Sequence, residues 1–338
     1  MKKLVLALVA SSVFALTPAE TKADSCEPCC DPCDFSLCDL GGFELGVEFL
    51  WVKPCIDDLD FAAKVDTGSH THIKYKGICP EWDPGVRITL GMDSFFCNWD
   101  LMAHYTYISS DDSASISGNS DIAPTLGHQS LPIRLYDYAK GKWCADYNEW
   151  DVLFGYELCP SQCHHFMPYF GVAGIVVDQE LTATYQDMMV AMVNLDPDTM
   201  YKVKWQSNYW GVGLRAGTNY EYKMNDRLRI YAAANATLLA GEADGKIHYE
   251  GENDFILKDN DCCHCVPGYH LGAGILYDVC LCNYDFSVNL GYEFTQWHNF
   301  LKHRISSGET KAENGHTTSS STRTFGYHGL SLGVAMGF

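Results

Sequence analysis

Basic residues are scarce: 23 Lys and Arg stand against 43 Asp and Glu, a formal charge of −20 over 338 residues. A chain this acidic cannot neutralise a run of phosphates, which excludes nucleic acid as a partner. No Lys/Arg cluster offers a polybasic patch to an anionic lipid surface. After Leu16 there is no apolar run of about 18 residues, the length a helix needs to cross a bilayer. Two kinds of chain remain: a secreted soluble protein, or a membrane barrel whose strands escape a hydropathy scan.

The first 23 residues read as a secretory leader. Lys2 and Lys3 precede an apolar stretch from Leu4 to Leu16, and Thr21 with Ala23 fits a cleavage pair. Lys2, Lys3 and Lys22 against Glu20 give this segment +2, which leaves −22 on the rest. Sixteen cysteines are too many for an ordinary cytosolic protein and point to an oxidising compartment. Residues 24–42 are Cys-rich, with Pro28 and Pro32, and read as an arm too short to fold alone.

From Phe43 onward the chain alternates. Phe43, Leu45, Val47, Phe49 and Trp51 take every second place, with Glu44, Gly46 and Glu48 between them. Period-two alternation marks a strand with one apolar and one polar face. The same pattern starts again near Val86, Trp99, Asn148, Met167, Trp210, Leu228, Tyr269, Tyr284 and Leu330, giving ten candidate strands. Short turns at 93–98, 159–165, 223–227 and 278–283 alternate with long segments at 52–83, 109–146, 179–204, 241–266 and 299–324. A soluble sandwich gives no reason for that alternation and leaves ten apolar faces without a partner sheet. An outer-membrane barrel has short periplasmic turns and long external loops, and an even strand count returns both ends to the periplasm. Trp51, Trp99, Tyr107, Trp150, Tyr220, Tyr277, Tyr284 and Trp297 sit at segment ends, as interfacial girdles require. The expected fold is therefore all-β: a transmembrane antiparallel up-and-down β-barrel of about ten strands over 43–338. Strands within the long segments, around His72–Lys76, Tyr201–Trp205 and Lys246–Gly251, would raise the count to 12 or more. The segment 109–121 (SSDDSASISGNSD) carries neither a helix nor a strand signal.

The phrases GGFELGVEFLWVKP, WDPGVRITLG, MPYFGVAG, YWGVGLRAG and GYHLGAGILYD resemble the pore-forming outer-membrane proteins typified in Legionella and the related major outer membrane protein-like proteins of environmental chlamydiae. The resemblance covers about residues 42–338. It implies a diffusion porin that is also an abundant structural protein of the outer membrane. The cysteine load resembles the chlamydial side, whose envelopes are disulfide cross-linked.

Threaded on this topology, Cys26, Cys29, Cys30, Cys33, Cys38, Cys97, Cys159, Cys163, Cys280 and Cys282 fall on the periplasmic side. Cys55, Cys79, Cys144, Cys262, Cys263 and Cys265 fall in the external segments. All sixteen are disulfide candidates, and the arm cysteines are suited to bridge to other Cys-rich envelope proteins. No metal site is expected, because a zinc centre needs four ligands held in a folded knuckle. No cofactor is expected either.

The inward-facing charges are Glu44, Glu48, Arg87, Asp100, Glu149, Asp151, Glu157, Arg215, Arg229, Asp285 and Glu293. Acids outnumber bases in this set, so the lumen is expected to admit small hydrophilic solutes with a modest preference for cations. The other outcome is that these charges pair and block the barrel, because unsolvated charges in a narrow lumen are costly. The alternative function is a closed small barrel acting as an omptin-like protease or an adhesin. Its candidates, Asp111, Asp112, His128, His298 and His303, have no spacing that fixes them together. No Gly-x-Ser-x-Gly elbow and no His-Glu-x-x-His helix is expected. The expected partners are outer-membrane lipid, solutes and ions, and other envelope proteins, with a homo-oligomer left open.

Overall fold

Ten of the alternating stretches form the wall of one closed barrel. The computed structural model describes residues 42–57, 59–67, 71–96, 99–126, 135–161, 163–186, 201–225, 227–250, 254–281, 284–309 and 316–337. The wall strands are β1 (Phe43–Ile56), β4 (Asp83–Phe96), β5 (Trp99–Pro124), β6 (Tyr136–Tyr156), β8 (His164–Gln186), β9 (Tyr201–Lys223), β10 (Leu228–Glu250), β11 (Phe255–Leu281), β12 (Tyr284–Glu309) and β13 (His316–Gly337). Each pairs antiparallel with its neighbour in that order, and β13 closes the ring on β1. Three short strands stand outside the ring: the hairpin β2 (Asp60–Thr67) and β3 (Thr71–Gly77), and β7 (Leu158–Ser161) in a short turn.

The alternation decides which side chain faces which medium. Val47, Leu90, Leu214, Leu238 and Leu271 all point outward, and Leu214 is 72% exposed. An apolar belt around the whole barrel is unfavourable in water and requires a hydrocarbon surrounding. Trp99 and Tyr156 pack together at the short-turn end of this belt, and Trp51, Trp150 and Trp210 bound it at the other. Trp297 corrects the expected girdle. It falls on the inward parity of β12, opposite to that of the outward Tyr292, and is 1% exposed inside the barrel.

The long segments are also corrected. Wall strands β5 and β12 have 26 residues and β11 has 27, whereas about 9–11 suffice to cross a bilayer. The excess length continues the wall past the apolar belt. Ser109–Ser117, expected as loop, pairs residue for residue with Tyr138–Asp146. The partner strand supplies the hydrogen bonds and the buried aromatic residues, which overrides the weak strand preference of serine. The stretches at Tyr201–Trp205 and in 246–250 lengthen β9 and β10, so the wall stays at ten strands. The stretch around His72–Lys76 is a strand, but it belongs to the hairpin outside the wall.

This upper part of the barrel is filled. Trp143, Tyr147, Trp205, Tyr209, Phe300, Phe325 and Tyr327 point inward and are nearly fully buried. The hairpin folds over them. Phe61 on β2 is fully buried and lies on Gly141, where a Cβ would meet its ring at 2.5 Å. Tyr185 donates a 2.5 Å hydrogen bond to the Phe61 carbonyl.

Candidate functional site

Below the filled region two arginines reach into the lumen from separated wall strands, β4 and β9. They share one local design. Each guanidinium Nε donates to the threonine directly opposite on the next strand: Arg87 to Thr106 at 3.0 Å, Arg215 to Thr237 at 2.8 Å. Each then spans two carboxylates. Arg87 donates to Glu48 at 2.9 Å and, bidentately, to Glu293 at 2.8 and 3.0 Å. Arg215 is clamped between Glu149 and Asp151. Planar guanidinium geometry suits such two-carboxylate bridging. Asn289 donates to the second oxygen of Glu48 at 2.5 Å, and His104 Nδ1 lies 2.6 Å from Asp151 Oδ1.

A chain of contacts leads upward from this belt. Tyr147 donates to Glu149 at 2.5 Å, and Trp297 Nε1 donates to the Tyr147 hydroxyl at 3.1 Å. Tyr147 stacks on Phe325 at 5.6 Å and meets Tyr327 edge-on at 5.4 Å. Between the two arginines lies a small cavity of about 160 Å³. Below it a vestibule of about 870 Å³ extends toward the short turns. Glu44, Asp93, Asp100, Glu157, Glu221 and Arg229 line its lower part. There Arg229 is held by Asp278 at 2.6 and 2.8 Å and by Glu221 at 2.5 Å.

The structure places the inward charges read from the sequence as follows. Glu44, Glu48, Arg87, Asp100, Glu157, Arg229 and Glu293 line the vestibule, and Glu149, Asp151 and Arg215 line the small cavity. Glu157 lies just past the end of β6, in the turn. Asp285 pairs through its backbone with Gly337, and its side chain lies outside the described residues. The sequence reading misses the groups that tie these charges together: Thr106, Thr237, His104, Tyr147 and Asp278. Each takes the inward parity of a wall strand: Thr106, Thr237, His104 and Tyr147 escape a criterion of charge alone, and Asp278 lies on β11 where the sequence predicts the turn 278–283.

The residues proposed for a protease are not brought together. Asp112 Oδ2 accepts from the Glu81 amide at 2.9 Å on the β5 side. His298 stacks on Tyr269 on β11, and β5 and β12 are not neighbours in the ring. His128 and the His303 side chain lie outside the described residues. Gly329–Gly333 does spell Gly-x-Ser-x-Gly, a spacing the sequence reading overlooks. It lies in mid-strand in β13 with Ser331 buried, so it forms no strand–turn–helix elbow. Cys55, Cys79, Cys144, Cys163, Cys262, Cys263 and Cys265 are free thiols, and among the described residues no group of His, Cys, Asp or Glu is arranged to hold a metal. Cys26, Cys29, Cys30, Cys33, Cys38, Cys97 and Cys282 lie outside the described residues, as do the side chains of Cys159 and Cys280.

No curated protein sequence matches the chain. Among solved structures it is similar to the outer membrane protease OmpT from Escherichia coli, with a TM-score of 0.43 at 9% identity over 88% of this chain and 97% of that one. It is also similar to a major outer membrane protein from Thermus thermophilus, with a TM-score of 0.32 at 12% identity over 88% and 99%. The translocator domain of the autotransporter NalP from Neisseria meningitidis gives 0.37 at 10% identity over 88% of each chain. The family described as Legionella pneumophila major outer membrane protein precursor matches residues 36–338. With ten apolar-faced strands closed into a barrel, the chain belongs to that family and resides in the outer membrane.

Proposed function

We propose that this protein is a porin of small conductance that passes small hydrophilic solutes and ions with a modest preference for cations. The observation that carries this reading is the vestibule of about 870 Å³, whose wall carries seven carboxylates against three Lys and Arg side chains. Such a wall raises the local cation concentration. The conformation described is the closed one, because aromatic side chains and the β2–β3 hairpin fill the upper lumen. Planar-bilayer recordings in KCl test the reading. Brief, small, cation-selective steps are expected, with larger ones from a variant lacking residues 60–77. Anion selectivity, or silence in both proteins, overturns it.

Residues 1–23 act as the leader and 24–42 as a periplasmic arm, and 43–338 form the barrel. The arm cysteines bridge to other Cys-rich envelope proteins. Non-reducing electrophoresis of envelopes is expected to show reducible high-mass species, and monomer alone would refute the bridging.

A further inference from the structure

The charge belt and the aromatic plug are one connected network. Asp151 is shared by His104 and Arg215, Arg215 is shared by Asp151 and Glu149, and Glu149 is shared by Arg215 and Tyr147. Tyr147 in turn accepts from Trp297 in the plug. His104 lines both the vestibule and the small cavity, so its end of the network opens to the short-turn side. Every link above His104 is buried: Asp151 is 5% exposed, Arg215 6%, Tyr147 1% and Trp297 1%. We propose that His104 is a proton-operated latch on the aromatic plug, an inference that rests on the porin reading.

The sign follows from charge balance. Glu149 and Asp151 are two negative charges facing the single positive charge of Arg215. An imidazolium at His104 makes this group neutral, and a neutral imidazole leaves it at −1. An unbalanced charge in a buried cluster is costly, so protonation holds the closed arrangement and deprotonation weakens it.

Other charged and titratable groups line the two cavities that His104 faces. Among them are the carboxylates Glu48 on β1, Glu149 and Asp151 on β6, and Glu293 on β12. Arg87 on β4, Tyr169 on β8, Arg215 on β9 and Tyr327 on β13 line the small cavity. Glu44, Asp93, Asp100, Glu157, Glu221, Lys223, Arg229 and Tyr231 line the vestibule below it. His164 and His165 sit at the short turn beyond Asp100. The rival imidazoles are His164, His165 and His270; His165 is paired with Glu157 at 2.5 Å away from the plug, and His270 Nδ1 meets Thr295 Oγ1 at 2.9 Å, not a carboxylate.

The experiment is single-channel recording between pH 5 and pH 8 on wild type, His104→Gln, His270→Gln and Tyr147→Phe. Heat-modifiable mobility confirms folding, and Trp297 emission is obtained by subtracting a Trp297→Phe variant. Open probability of the wild type is expected to rise at least about fivefold toward pH 8. His270→Gln keeps that response, while His104→Gln and Tyr147→Phe lose it. A response that survives in His104→Gln, vanishes in His270→Gln, or is absent from a conducting wild type overturns the latch and leaves the porin reading standing. If no variant conducts, the porin reading falls and the emission decides: a pH shift that needs His104 supports the coupling, and no such shift overturns it.

Discussion

Arg215 holds two buried carboxylates, and its loss has a definite cost. Arg215→Met leaves Glu149 and Asp151 in the lumen without their cation, a change worth about 3–5 kcal/mol. The triple variant Arg215→Met, Glu149→Gln, Asp151→Asn removes the charges together and should recover most of that loss. Urea unfolding read by heat-modifiable mobility compares them. Equal losses in the two variants would mean that the site tolerates an unpaired charge. A weaker ion pair sits in the short turn, where Glu157 and His165 meet at 2.5 Å. The hydrogen bond from His165 holds the Glu157 carboxyl below its ordinary value of 4.5, and the same bond raises His165 above its ordinary 6.5. The Glu157 contribution is complete above 4.5 and is lost as pH falls; the His165 contribution is complete below 6.5 and is lost as pH rises. The pair is therefore strongest between those values. Both groups are about one-third exposed, so screening keeps the effect below about 1 kcal/mol. Glu157→Gln should flatten the difference in urea midpoint between pH 5.5 and pH 9, and an unchanged difference would assign it to other groups.

At the level of elements, the hairpin β2–β3 is held to the barrel mouth by the pairing of Ala62–Lys64 with the end of β5, by the Lys64–Asp121 ion pair and by Phe61, its one buried aromatic side chain. Phe61 is fully buried on Gly141, and Thr125 Oγ1 donates to the Asp60 carbonyl at 2.7 Å. Phe61→Ala should cost about 3–5 kcal/mol if the hairpin stays in place. It should cost less, with increased conductance, if the hairpin lifts away. Gly141→Leu gives a separate check, because it fills the socket and leaves Phe61 intact. Protease cleavage between β2 and β3 is expected to accelerate in both variants, and unchanged cleavage would show that the hairpin is held elsewhere. The hairpin also shows the limit of the sequence reading. The ten wall strands are legible because lipid outside and polar groups inside impose a strict two-residue period. The inward charges are legible for the same reason. Phe61, Tyr147 and Trp297 are not, because they are apolar or aromatic residues facing a filled lumen, where the inside-polar rule no longer holds. The pairing of Arg215 with Glu149 and Asp151 spans more than 60 positions in sequence, and alternation fixes a side chain's face but not its neighbour across the barrel.

For the whole molecule, the decisive quantity is height. Strand β5 has 26 residues, which at about 3.3 Å per residue and a tilt near 40° gives a wall of roughly 65 Å. The apolar band of an outer-membrane barrel is about 25 Å tall, so a large part of the wall stands clear of the hydrocarbon. There the outer face is polar, with Lys204 on Glu180 at 2.9 Å and Lys202 on Glu250 at 3.0 Å. The interior remains apolar, with Trp205, Tyr185 and Val203 fully or almost fully buried. This part is built like a soluble barrel stacked on a membrane one, and its stability comes from its own core. Its backbone amides are therefore expected to resist exchange as the lipid-level amides do. Hydrogen–deuterium exchange on the protein in lipid nanodiscs measures this directly. Peptides covering Ser109–Ser117 and the paired Tyr138–Asp146 should exchange at least about tenfold more slowly than an unstructured chain, because opening them requires breaking a continuous ladder. Exchange at the unprotected rate would return 109–121 to the loop that its serines and aspartates suggest. The apparent support for the Phe61 socket would then be lost with it, since Gly141 lies within the paired segment.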